Sequence, residues 1–314
     1  MRPEGVDGGM DVGARGRLVR DGGWRPLRHT GVKSGPVDVV VISGQSNAVG
    51  CTHSSCITRS IGASKYQEYM KGYDGIQIAF DNYDKLYEMD PPQFYSQHRS
   101  KNETFVKVML GQGNSEARFG PEIGIAEKLH ESHAGKLFII KFACGASNLK
   151  DDWADEKSPM YPRLISYVKK QMKNLTDMGY EPTIKAFCWM QGEGDTYLDY
   201  YDVYYENTKK LVSNVRRDLK ELAGNKDVPF IDAGVANTKK EDSTYQWQFW
   251  EEVNEAKKKF AAESDNNFYI DTIAEGMHTN EEPFGEVDYA HYDSPSEVLL
   301  GKLFAEKFEP FLIK

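Results

Sequence analysis

No apolar run in these 314 residues approaches the ~20 needed to cross a bilayer, so membrane insertion is not expected. Positive charge is scarce: 39 Lys and Arg face 48 Asp and Glu, a formal net charge of -9. A nucleic-acid partner needs a basic surface to displace counterions, so none is expected either. Cysteine is scarce too. Cys51, Cys56, Cys144 and Cys188 are too few for a disulfide framework in a chain of this length. Cys144 and Cys188 sit in apolar, strand-like runs, where a free thiol is a small buried hydrophobe. No zinc-ligand spacing is present, so no metal and no other cofactor is expected. A Cys51–Cys56 disulfide is left open.

Residues 1–36 lack periodic apolar positions and are crowded with Gly and Arg, among them Gly8, Gly9, Arg15, Arg17, Gly22 and Gly23. They have neither the apolar region nor the small-residue cleavage site of a signal peptide, which favours a flexible arm and a cytoplasmic location. From Val37 onward the chain alternates β-rich runs with helical patterns. Strands are expected at Val37–Ser43, Lys136–Ala143, Ile184–Met190, Val228–Val235 and Asn267–Asp271. Helices are expected at Glu122–His133, Tyr161–Met178, Tyr200–Leu222, Tyr245–Glu263 and Pro295–Phe308, the last capped by Ser294. This order predicts one three-layer α/β/α sandwich over 37–314 with a five-stranded parallel sheet. Residues of about 51–118 break the alternation. They read as an irregular insertion rich in tyrosine and phenylalanine, the kind of long segment that often carries function.

Loops leaving the carboxyl ends of parallel strands converge on one edge, where open α/β sheets bind ligands. The first strand ends in Gly44-Gln45-Ser46-Asn47. By itself Ser46 is equally a helix cap or a nucleophile. A nucleophile needs a base and a group to orient that base. Of seven histidines, His291 has a carboxylate, Asp288, at i−3 on the short loop just before the last helix. Oxyanion donors are expected from the Ser46 and Gly145 N–H groups and the Gln191 side chain. Glu193 and Asp195 read as orienters of neighbouring loops more readily than as paired glycosidase acids. Trp247, Phe249 and Trp250 have helical spacing and read as a packing stripe rather than a sugar-stacking platform.

Gly44-Gln45-Ser46-Asn47, Gly120-Pro121-Glu122, Lys141–Leu149 with Trp153 downstream, Trp189–Asp195 and Asp288-x-x-His291 occur in an order that resembles the SGNH/GDSL-type hydrolases. Within them the chain is similar to the carbohydrate-esterase branch of sialate O-acetylesterases and acetylxylan esterases. The resemblance covers about Val37 to the carboxyl terminus. It implies a flavodoxin-like sheet and removal of O-acetyl groups from a carbohydrate, without a metal. Ser46 then matches the nucleophile, His291 the base, Asp288 its partner and Gly145 an oxyanion glycine. Gln191 stands where the wider superfamily uses an asparagine, and Gln45, Asn47 and Glu193 are supporting or binding residues. Two stretches depart from the family pattern. Cys144-Gly145-Ala146-Ser147 replaces a common Gly-Gly-Thr, and Ala48–His53 lacks the usual methionine. Two other readings stay open: a sugar-binding module without turnover, and an esterase of lipids or other short acyl esters.

Overall fold

Val37–Gly44 is buried without a break, as a strand covered on both faces must be. The computed structural model describes residues 35–86, 93–95, 101–279 and 287–313. The expected arm lies outside them, apart from Gly35 and Pro36. The central strand β1 (Gly35–Gly44) is followed by the one-turn helix α1 (Ser46–Val49) and the short β2 (Thr52–His53). After α2 (Ile57–Ser60) and α3 (Ala63–Lys71) come β3 (Tyr73–Leu86), β4 (Gln93–Tyr95), β5 (Lys101–Val108) and β6 (Arg118–Phe119). The alternating part then runs α4 (Glu122–Leu129), β7 (Leu137–Gly145), α5 (Tyr161–Asp177), β8 (Tyr180–Met190) and α6 (Tyr204–Leu219). It closes with β9 (Phe230–Ala233), α7 (Trp250–Ala261), β10 (Asn267–Ile270) and α8 (Ser294–Phe308).

The sheet order is β10-β9-β8-β1-β7-β3-β4, with β5 also on β3. The five expected strands are all present and parallel, and their order alone is 2-1-3-4-5, that of flavodoxin. The strand count needs correction. A sixth parallel strand, β3, pairs with β7 inside the segment read as an irregular insertion, and β4 and β5 join it antiparallel. Its Ile76, Ile78 and Phe80 alternate with Gln77 and Ala79, but Gly75 and three aspartates obscure the period.

Alternation along β1 divides the core. Val40 and Ile42 pack with α4 and α8 on one face, while Val39 and Val41 pack with α5 and α6 on the other. The α4–α8 crossing is close: a Cβ on Gly124 would lie 2.0 Å from Val298 O of α8, and one on Gly301 2.0 Å from the O of Pro121, the N-cap of α4. That contact fixes α8 and the loop that leads into it. The helix is capped by Asp293, whose Oδ1 accepts from Ser296 N at 2.9 Å, so Asp293 and not Ser294 is its N-cap. Among the described residues no helix is long and apolar enough to cross a membrane.

Candidate active site

The chain leaves the sheet at the switch point between β1 and β8, where the strand order reverses. Gly44 has φ +138°, and a Cβ there would fall 2.0 Å from Met190 O. Only glycine permits β1 to turn this close to its neighbour. Gln45 N donates to Met190 O at 2.9 Å, and Ser46 opens α1. No side chain caps α1, so the serine is not a helix cap. Half-buried Ser46 instead lines a cavity of about 730 Å³ together with Gly145 and His291.

His291 Nδ1 lies 2.6 Å from Asp288 Oδ2, and Asp288 Oδ1 accepts from the backbone N–H groups of Ala290 and His291. Burial pushes the Asp288 carboxyl up, but His291 and these backbone donors outweigh it and hold it below the usual carboxylate range. Nε2 is left for the cavity, whose wall Cys51 shares with His291. Ser46 and His291 share the cavity without a hydrogen bond between them. Such contacts often tighten only around bound substrate. Burial would lower the His291 pKa, but the Cys51 thiol and Asp288 prevail and raise it well above the ordinary 6.5. A general base must be neutral, so activity should be lost as pH falls through this raised pKa. The acid limb of a kcat/KM–pH profile should therefore lie above that of an unperturbed histidine, and Cys51→Ala should move it to lower pH. An unmoved limb would remove Cys51 from the titration.

Asn47 ties the serine turn to the histidine loop. Its Nδ2 donates to Glu193 Oε1 at 2.7 Å and Ala290 O at 3.4 Å, while its Oδ1 accepts from Tyr292 N at 3.2 Å. Gln45 Oε1 gathers the third loop, accepting from Gln191 Nε2, Gly192 N and Gly194 N at 3.1, 3.2 and 3.0 Å. Burial raises the Glu193 pKa and pushes that of Asp195 up to about 7. The shared Gly120-Pro121-Glu122 block lies beneath α1. Buried Lys141 donates to Val49 O and Gln112 O and pairs with Glu122 at 2.7 Å, so the carboxylate neutralises the cation that grips the helix end.

Gln191 is a correction. Both of its amide protons are already used, on Asp195 Oδ2 at 2.6 Å and Gln45 Oε1 at 3.1 Å, and its oxygen accepts from Tyr204 OH. It is fully buried and lines no part of the cavity. With no proton to offer an oxyanion, it is a brace for the loops. Gly145 does reach the cavity; a Cβ there would lie 2.1 Å from Asp84 Oδ1. Cys51 and Cys56 are free thiols, and no group of three or more His, Cys, Asp or Glu among the described residues is placed to hold a metal ion.

Sequence reasoning passed over several cavity residues, Arg118, Tyr197 and Leu198 among them. Arg118 stands two residues ahead of the shared Gly120 block, which was the available signal. Trp247 precedes α7 and lines the cavity, but it also packs against the buried core, so the packing reading holds for it as well. It holds likewise for Phe249, stacked on Tyr201 at 4.0 Å, and for Trp250, set against Tyr245.

A family model described as "SASA: Carbohydrate esterase, sialic acid-specific acetylesterase" matches residues 36–309. The chain belongs to this family. It is a carboxylic ester hydrolase. No curated protein matches. A solved protein from Arabidopsis thaliana is 19% identical with a TM-score of 0.58, over 88% of this chain and 100% of that one. NanS is 14% identical with a TM-score of 0.56, over 88% and 98%. A carbohydrate acetylesterase from Xanthomonas citri is 14% identical with a TM-score of 0.51, over 88% of this chain and 56% of that one. At these identities the likeness establishes the shared fold alone. The family match carries the esterase activity.

Proposed function

We propose that this member of the family is a serine O-acetylesterase acting on an acetylated carbohydrate through Ser46, His291 and Asp288. The observation that carries the reading is the 2.6 Å Asp288–His291 contact on a loop facing the cavity that Ser46 lines. Ser46 Oγ attacks the acetyl carbonyl carbon while His291 Nε2 takes its proton. Asp288 keeps the other proton on Nδ1 and stabilises the imidazolium. The N–H groups of Ser46 and Gly145 meet the oxyanion. His291 then protonates the departing sugar hydroxyl. In the second half it activates water, which releases acetate from the acetyl-enzyme. Acetate release from acetylated sialic acids, xylans and simple sugars tests the reading, and failure on every sugar acetate would refute it.

Arg118 favours an acid-bearing sugar within that class, in keeping with the sialic acid named in the family description. Its Nη1 donates to Cys51 O at 2.5 Å, which fixes the guanidinium at the cavity wall, and it forms no ion pair among the described residues. A charge-assisted bond of about 1.5–3 kcal/mol is at stake. Arg118→Ala should raise KM for an acetylated sialic acid roughly 10- to 100-fold, yet leave a neutral sugar acetate within about threefold. Equal losses on both would deny Arg118 that role.

A further inference from the structure

Two short segments form an exposed lip on the cavity. Tyr197 and Leu198 follow the β8 loop, and Trp247 precedes α7. The segments are pinned together: Tyr197 OH donates to Gln246 O at 2.7 Å, and Phe249 N to Thr196 O at 3.2 Å. Tyr197 meets Trp247 edge to face at 6.0 Å. Leu198 is 73% exposed and held at φ +55°, a left-handed conformation costly to a branched side chain. Strain that sets an apolar side chain in water at a cavity mouth points to a ligand. Trp247 Nε1 is buried without a hydrogen-bond partner. Tyr200 completes the patch, with the Lys150 ammonium 4.2 Å from its ring and Asp151 beside it.

The volume agrees. About 730 Å³ is the size of a cavity for a drug-sized ligand, far more than a two-carbon acyl group needs. Aromatic faces next to an unsatisfied N–H, a carboxylate and an ammonium suit a pyranose, whose C–H face is apolar and whose edge is hydroxylated. A lipid chain would have to desolvate those polar groups without replacing their bonds.

We propose that Tyr197, Leu198, Tyr200 and Trp247 form a subsite for a second sugar ring, so that the substrate is an O-acetylated glycoside rather than a free monosaccharide. This rests on the carbohydrate O-acetylesterase reading above, and it adds which part of the sugar chain is held.

The test compares kcat/KM for matched pairs: O-acetylated N-acetylneuraminic acid against the same residue linked to lactose, and acetylated xylose against acetylated xylobiose. The native chain should prefer the linked member of at least one pair by about tenfold. Trp247→Ala and Tyr197→Ala should each reduce that preference about three- to tenfold, as loss of an aromatic contact does. Trp247→Phe, which keeps a ring, should retain most of it. Should an aromatic variant fail to fold, Leu198→Gly, at an exposed position, should still lower the preference. No preference in the native chain, or the same preference in all four variants, overturns the subsite. Hydrolysis of p-nitrophenyl acetate separates the two levels. Absence of turnover there and on every sugar refutes the esterase reading, whereas turnover of both members of each pair at equal kcat/KM refutes the subsite alone.

Discussion

Ser46→Ala should lower kcat by about 10⁴- to 10⁶-fold, the range seen when the nucleophile of a triad is deleted. The loss should fall on turnover and not on folding. Ser46 is half-buried, and no side chain caps the helix that it opens. Removing one hydroxyl there changes stability by no more than about 0.5 kcal/mol. A melting curve that superimposes on the native one, together with abolished acetate release, is the expected pair of results. Retention of near-native hydrolysis would place the nucleophile elsewhere. Cys51 would then be the first suspect, since its side chain lines the same cavity as His291.

The second large effect belongs to Asp288→Asn, expected to cost about 10⁴-fold in kcat near neutral pH. The carboxylate accepts the Nδ1 proton at 2.6 Å, which fixes the tautomer that leaves Nε2 free to act as a base. An amide can place its NH₂ against the ring instead, invite the other tautomer and put a proton on Nε2. The same change removes the charge that helps to raise the His291 pKa, so the surviving activity should have its acid limb at lower pH. Asp288 also accepts two backbone N–H groups that hold the turn, through its other oxygen. Asparagine can keep those two bonds, which makes it a cleaner probe than alanine. A loss of less than about tenfold would reduce Asp288 to a loop brace.

Much of the fold could be read from side-chain types. Valine and isoleucine runs buried on both faces leave little choice but parallel strands, and all five runs became strands. β3 escaped because Gly75 and its aspartates interrupt the alternation that marks a strand with one polar face. The Asp288–His291 pair was legible because an i−3 spacing on a short loop forces proximity. Gln191 was misread for a physical reason: residue type tells how many protons an amide can donate, never which are already committed. Asp195 and Gln45, distant or weakly marked in the sequence, take both. Trp247 packs against the core as expected but also borders the cavity, because it lies three residues ahead of the point where α7 starts, outside the helical spacing assumed for it.

The most direct measurement traps the acyl-enzyme. Mixing the protein with an acetyl ester, quenching in acid within the first turnovers and sequencing its peptides by mass spectrometry should find one acetyl group, on Ser46. Hydroxylamine should remove that group, and Ser46→Ala should not acquire it. An acetyl group on Cys51, or turnover with no acetylated residue at any time, would contradict the serine mechanism.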